Sequence, residues 1–122
     1  MRMVTFKGRF VVKVDSSGNF DFPKEWRPLV ANDRSFYFAP TRCDDVFDLS
    51  PKKLYDMEVG LLEMLAKDHD AGDITSAYKE ESFEAYVDEE WQMHVPEAVL
   101  KAVGAKGEIS LVGALRKIMV CR

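Results

Sequence analysis

Residues 15–23 read Asp-Ser-Ser-Gly-Asn-Phe-Asp-Phe-Pro, and residues 88–96 read Asp-Glu-Glu-Trp-Gln-Met-His-Val-Pro. Shifting the chain by 73 positions aligns the two stretches without a gap and places Asp on Asp and Pro on Pro. Further apolar residues then fall on each other, namely Phe10 on Phe83, Val14 on Val87, Phe36 on Ile109 and Phe38 on Leu111. This ordered set of matches indicates an internal repeat.

Each copy predicts the same order of elements. A strand ends at the Asp, and a polar turn leads into a short alternating strand, since period two is typical of half-buried strands. Pro23 and Pro96 then open short helices, which Pro28 and Gly104 end. The strands are expected at residues 6–15, 20–22, 35–38 and 45–49 of the first copy and at residues 83–88, 93–95, 108–112 and 117–121 of the second.

A helix is expected between the copies, from about residue 51 to residue 67. Ser50 can cap this helix and Pro51 can open it. One apolar stripe at helical spacing is predicted to pack on the repeats or on a neighbouring chain, and it consists of Leu54, Met57, Leu61, Leu62 and Leu65. Residues 74–81 fit either a second helix or a loop.

One copy alone has too few strands to bury both faces of a sheet. We therefore expect the copies to pack or interleave into one barrel, giving an α+β fold that is mainly β. The predicted division is a first repeat at residues 1–50, a linking helical segment at 51–81 and a second repeat at 82–122, all in one compact fold.

Composition argues for an ordinary globular chain. Of the 122 residues, 47% are hydrophobic and 31% charged, which argues against disorder. No apolar run approaches the roughly 20 residues of a membrane helix, and the N-terminus lacks signal-peptide features, so a cytoplasmic location without membrane association is expected. The net charge is −4, and the acidity is concentrated in residues 51–81, which leaves room for a basic face in the first repeat.

Catalytic and metal motifs are weak. Asp15 and Asp88 each end a strand and begin a turn, where Asp bonds its own backbone, so they are predicted to be structural. Residues 68–73 resemble a calcium loop, but its sixth and twelfth positions hold Asp73 and Lys79 instead of Gly and Glu. Cys43 and Cys121 are expected to be small buried hydrophobes. We therefore expect no enzyme activity, no metal and no cofactor.

The two signatures resemble those of MraZ transcription regulators, which carry two AbrB-like swapped-hairpin units. Phe6-x-Gly8 is similar to the family's opening, residues 15–23 and 88–96 to its two signatures, and residues 111–120 to its closing segment. The resemblance implies a swapped-hairpin barrel, a DNA-binding transcriptional regulator located at the nucleoid, and an oligomer that can be a ring. The family's DNA-facing loop arginines are replaced here by Asn19 and Gln92.

A basic face on the first strand is the best candidate for binding. Lys7, Arg9 and Lys13 alternate with apolar residues, so they share one face. With Lys24 and Arg27 they form either a strip that contacts DNA phosphates or a solvated face. Asn19 and Gln92 are either readers of adenine or ordinary turn residues. The partners expected are DNA and further copies of the chain; the alternative is a degenerate barrel that acts as a protein-interaction or structural module.

Overall fold

The structure is a computed structural model, and it describes residues 5–69 and 72–122. In the first repeat, strands β1 (Arg9–Lys13) and β2 (Asn19–Asp21) precede a 3-10 helix (Lys24–Val30), β3 (Ser35–Pro40) and β4 (Phe47–Pro51). Helices α1 (Lys52–His69) and α2 (Gly72–Glu80) follow. The second repeat contains β5 (Phe83–Tyr86), β6 (Gln92–His94), α3 (Glu97–Val103), β7 (Glu108–Ala114) and β8 (Lys117–Cys121).

The strands form one six-stranded sheet in the order β1-β7-β8-β4-β3-β5 and a two-stranded ribbon of β2 with β6. Every pairing in both sheets is antiparallel. The fold is therefore α+β and mainly β, as the sequence predicts. In the described part of the chain, no helix is long and apolar enough to cross a membrane.

Strands pair between the two repeats in equivalent registers. The first strand of repeat 1 pairs with β7 of repeat 2, with Phe10 opposite Leu111. The first strand of repeat 2 pairs with β3 of repeat 1, with Phe83 opposite Phe38. These four residues are related by the shift of 73 positions, so the two pairings are equivalent. The repeats therefore build one sheet jointly, because each supplies a strand to the other.

The ribbon lies at the centre of this internal symmetry. Phe20 of β2 is paired directly with Met93 of β6, which is its own equivalent in the second repeat. Each of these side chains is only 1% exposed. A local twofold relation therefore passes through this buried pair.

The main core draws on both repeats. Aromatic rings dominate its first-repeat side: Trp26 lies edge-on to Phe6, with ring centroids 5.5 Å apart, and Phe22 lies 5.8 Å from Phe36. Aliphatic residues of the second repeat complete the core, including Val87, Val95, Val99, Ile109, Leu111, Ile118 and Val120. Burial of about 1.5–3 kcal/mol for each large side chain makes this shared core the main stabilising feature.

The predicted central helix is present, but the roles predicted for Ser50 and Pro51 at its start are wrong. Pro51 belongs to β4, where it is paired with Phe36, and Ser50 is a buried strand residue whose hydroxyl has no hydrogen-bond partner. Helix α1 begins at Lys52 instead. Pairing with β3 extends the strand through Pro51, since a Pro at a strand end needs no donor in the ladder.

The predicted α1 stripe does not pack on the repeats as one unit. Leu54 and Leu62 are half-buried, the other three members are exposed, and packing of those three on a neighbouring chain stays a prediction. Met57, Leu61 and Leu65 are 51%, 54% and 56% exposed. The opposite face of α1 is the buried one, through Tyr55, Val59 and Ala66. Tyr55 stacks on Tyr37 of β3, with centroids 4.0 Å apart, and an aromatic stack of this kind fixes which helix face turns inward.

Three local expectations have clear outcomes. Residues 72–80 are helical, which resolves the choice between helix and loop. Gly104 ends α3 at φ 70°, as predicted, whereas Pro28 does not end the first helix, which is a 3-10 helix that continues to Val30. Cys43 is exposed and Cys121 half-buried, so the expectation that both are buried is wrong. Cys43 lies in the β3–β4 connection and Cys121 at the end of β8. The stretch 68–73 falls partly outside the described residues.

Candidate nucleic-acid interface

Equivalent aspartates organise the two hairpin turns. The Oδ1 atom of Asp15 accepts hydrogen bonds from the backbone N–H groups of Ser17 and Asn19, both at 2.9 Å. The Oδ1 atom of Asp88 accepts from the N–H groups of Glu90 and Gln92, at 2.8 and 2.9 Å. The predicted structural role of both aspartates is confirmed, because their carboxylates hold backbone and do not face each other.

The two amides at the ends of these turns lie on the outer face of the ribbon. Asn19 Oδ1 is 3.1 Å from Nδ1 of His94, and Gln92 Nε2 donates to Oδ1 of Asp21 at 3.1 Å. These contacts are symmetry equivalents, since Asn19 corresponds to Gln92 and Asp21 to His94. Each amide is thus held across the ribbon, which favours a structural role for both. The side-chain NH2 group of Asn19 is not used in this contact and could still donate to a base.

Arg9 and Lys13 lie on the exposed outer face of β1, with Val11, which is 60% exposed, between them. Arg9 Nη2 reaches Ser110 Oγ of β7 at 3.5 Å, and Lys13 lies opposite Glu108 in the ladder. The alternation predicted for this strand is therefore present. Glu108 reduces the positive charge at the Lys13 end.

A second set of cations surrounds Trp26. The carbonyl oxygen of Lys7 accepts a hydrogen bond from Nε1 of Trp26 at 2.9 Å, which fixes the chain beside the 3-10 helix. That helix carries Lys24, which is exposed, and Arg27, whose Nε donates to the carbonyl of Phe22 at 3.0 Å. The structure thus brings Lys7, Lys24 and Arg27 to one end of the first repeat, while Arg9 and Lys13 continue along the strand from Lys7.

Arg34 belongs with this set, and sequence reasoning missed it. Its guanidinium carbon lies 3.9 Å from the ring centroid of Trp91, and its Nη1 donates to the carbonyl of Asp88 at 2.7 Å. Arg27 lies over the same ring at 5.4 Å. The available signal was Trp91 itself, which stands in the second signature where the first has Gly18.

The matching side of the second repeat is acidic. A cavity of about 340 Å³ lies between β5 and the ribbon, with Glu84 and Asp88 in its lining. Its other polar lining residues are Asn19, Gln92 and His94. Carboxylates at this place repel phosphates, so this side of the second repeat suits DNA less well than the matching side of the first.

The helical segment carries its own ion pairs. Lys117 of β8 lies 2.9 Å from Asp48 and 3.7 Å from Glu58 of α1. Burial lowers the pKa of Lys117, but the hydrogen bond and charge of Asp48, with Glu58, outweigh burial and raise it overall. Lys117 is therefore engaged in the contact between β8 and α1.

Comparison of the chain with models of protein families, and with curated proteins, finds no match. Within the described residues no group of three or more His, Cys, Asp or Glu side chains is arranged to hold a metal ion.

Proposed function

We propose that the protein is an MraZ-like DNA-binding transcriptional regulator that acts as an oligomer. The observation that carries the proposal is the state of the five cations of the first repeat. In the described part of the chain, none of Lys7, Arg9, Lys13, Lys24 and Arg27 forms an ion pair with a carboxylate, whereas Lys52, Lys79, Lys101 and Lys117 do. Cations without a carboxylate partner keep their charge available to neutralise DNA phosphates, even where, as in Arg9 and Arg27, one N–H donates to a neutral oxygen of the chain.

The cross-repeat pairing supports the same family. Equivalent first strands are exchanged between the repeats, and equivalent turns meet at the Phe20–Met93 pair. This is the connectivity that a swapped-hairpin barrel requires. The proposal assigns no reaction, metal or cofactor to the chain, and it places the protein on the nucleoid when DNA is bound.

The exposed stripe of α1 supports assembly with further copies of the chain. Tyr55 and Val59 cover the chain's own sheet, while Met57, Leu61, Met64 and Leu65 on the opposite side are 51–65% exposed. A helix with apolar side chains on opposite faces is typical of a layer between two packed surfaces. Leu61→Lys should therefore lower the mass measured by light scattering to that of a monomer, while Lys67→Gln on the same helix should not.

The first experiment measures binding of the protein to duplex DNA from upstream of its own gene at several salt concentrations. We expect affinity to fall steeply with salt, with a slope of about −0.9 for each phosphate contact. The double variant Lys7→Glu/Arg9→Glu should abolish binding. The control Lys53→Glu/Lys67→Glu makes the same change in net charge on α1 and should leave most of the affinity.

Weak sequence preference is expected, because the amides of Asn19 and Gln92 are held within the ribbon. Gln92→Ala should change DNA affinity little. If the double charge reversal left both affinity and salt slope unchanged, the cations would be a solvated face and DNA regulation would be rejected.

A protein-interaction or structural module is the second candidate function. The cavity lined by Glu84 and Asp88 favours it, since that half of the molecule is unsuited to DNA and can hold a cationic group of a protein. Retained binding of a partner protein by the Lys7→Glu/Arg9→Glu variant, together with no DNA binding by the unmodified chain, would favour this candidate.

A further inference from the structure

We propose that Arg27 and Arg34, held together on the ring of Trp91, form a separate binding point for the phosphodiester backbone of a nucleic acid. The choice of nucleic acid as the ligand rests on the proposed function. The site is formed by residues other than Lys7, Arg9 and Lys13 of the first strand. It lies at the border between the two repeats.

Trp91 brings the two guanidinium groups into one place. The guanidinium carbons of Arg34 and Arg27 lie 3.9 and 5.4 Å from its ring centroid. Arg34 comes from the start of β3 and Arg27 from the 3-10 helix, so the tryptophan of the second repeat gathers two cations of the first. Contacts of this kind stabilise each cation by about 0.5–2 kcal/mol.

Backbone carbonyls fix the orientation of both side chains. Arg34 Nη1 donates to the carbonyl of Asp88 at 2.7 Å, and Arg27 Nε donates to the carbonyl of Phe22 at 3.0 Å. Trp91 is tied to the same region, since its carbonyl accepts from the N–H of Phe22 at 2.8 Å. Each guanidinium uses one of its five N–H donors in this way, which leaves the others for a ligand.

Neither guanidinium has a carboxylate partner in the described part of the chain. Both side chains are half-buried, so their mutual repulsion is screened less than it would be in open solvent. The carboxylate of Asp88 accepts hydrogen bonds from its own turn and forms no ion pair with either arginine in the described part of the chain. Two guanidinium groups held against one ring without an ion-paired carboxylate mark a place where an anion would be stabilised.

The backbone conformation at Trp91 is unfavourable for a residue with a side chain. Its φ is 63°, in the left-handed region, where the equivalent Gly18 has φ 85°. A bulky residue in this region costs about 1–2 kcal/mol relative to Gly. The second turn therefore carries strain that the first avoids, and what the strain provides is the platform for the two arginines.

A polymer backbone fits the site better than a free phosphate. Glu89 and Glu90 are exposed in the same turn and repel any phosphate, so an anion held by the two arginines alone is bound less well than one that also contacts neighbouring cations. Arg27 shares its helix with Lys24, and Lys7 adjoins that helix through Trp26, so a phosphate chain can contact these cations in succession. Arginine also suits phosphate through its planar fork of donors.

The test uses the full chain, a 20-base-pair duplex and inorganic tripolyphosphate. Arg34→Gln should weaken duplex binding roughly tenfold at low salt and reduce the salt slope by about 0.9, as expected for one lost phosphate contact. Arg42→Gln, an exposed cation in the β3–β4 connection, is the control and should change neither value. Unfolding by urea should show that both variants remain folded.

Tryptophan emission gives a local readout. Trp26 is 2% exposed, so a change in emission on adding duplex should come from Trp91 and should vanish in Trp91→Phe. If Arg34→Gln kept the salt slope and the emission change, the site would be rejected while the proposed function stood. If the duplex failed to bind but tripolyphosphate changed the emission in an Arg34-dependent way, the phosphate site would stand and DNA regulation would fail. If neither ligand had an effect, both would be rejected.

Discussion

The turns at Asp15 and Asp88 have the same backbone and different surfaces. In each, one carboxylate oxygen accepts from the N–H groups two and four residues ahead. The position three residues after the aspartate holds Gly18 in one turn and Trp91 in the other, and both adopt positive φ. The aspartate therefore specifies the turn, while the residue three positions later decides which side chains pack on it, as Arg34 does on Trp91.

The outer faces of the two repeats also differ, in how far the helices cover them. In the first, α1 and α2 cover β3 through a stack in which Tyr55 lies 4.0 Å from Tyr37 and 5.7 Å from Tyr78. In the second, Lys117 of β8 reaches Glu58 of α1, while Met119 of the same strand is 38% exposed. The helices between the repeats thus cover the first face more fully than the second.

The largest expected effect lies at the pair on the symmetry axis. Phe20→Ala should lower the free energy of unfolding by about 3–5 kcal/mol and Met93→Ala by about 2–5 kcal/mol, because each leaves a cavity in a shared core. Urea unfolding of both variants measures the difference. A single cooperative unfolding transition in each variant supports one folding unit. If one repeat unfolded while the other stayed folded, the two repeats would not form a single unit.

A smaller effect is expected from exchanging side chains at the turns. In Gly18→Ala, the added Cβ would lie 3.1 Å from both His94 Cε1 and the Val95 carbonyl, at φ +85°, which should cost about 1–3 kcal/mol. In Trp91→Gly, relief of strain offsets the lost ring contacts, so stability should change by about 1 kcal/mol or less. Thermal unfolding compares the two, and an equal loss in both would show that the turns are not equivalent in backbone.

The charge difference between repeats can be reduced by one substitution. Glu80 is the equivalent of Lys7, is exposed at the end of α2 and forms no ion pair in the described part of the chain. Glu80→Lys should tighten duplex binding by roughly two- to fivefold at low salt, since it removes one repulsive charge and adds a cation. Asp45→Lys in the β3–β4 connection makes the same change of +2 at another exposed site and serves as the control, and an equal gain there would show that location is irrelevant.

The sequence predicted the repeat, the order of strands and the turn aspartates because these depend on local patterns. Periodicity could not select the buried face of α1: its leucines form the regular stripe, yet Tyr55 and Val59 face the sheet because Tyr37 and Ala39 of β3 receive them. Arg34 was missed for a similar reason. Its partner Trp91 is 57 positions away, and only the cross-repeat pairing of β3 with β5 brings them together.

The last prediction uses the tyrosine stack, in which Tyr55 and Tyr78 of the linking helices pack beside Tyr37 of the first repeat. Burial, followed by the charge of Glu58, raises the pKa of Tyr78 from 10.0 to about 12. Because the folded state then holds the phenol proton more tightly than the unfolded state, this group's contribution to stability is complete below pH 10 and is lost as the pH rises towards 12. Tyr78→Phe cannot ionise, so its free energy of unfolding should fall less between pH 8 and pH 11.5 than that of the unmodified chain. The difference should be about 1 kcal/mol, given solvent screening around a half-buried group. Urea unfolding at both pH values measures it, and the ionisation of the lysines cancels in the comparison. Parallel losses in the two proteins would show that the helical layer does not bury this phenol, and the contrast between the more and the less covered face would then be smaller than the structure indicates.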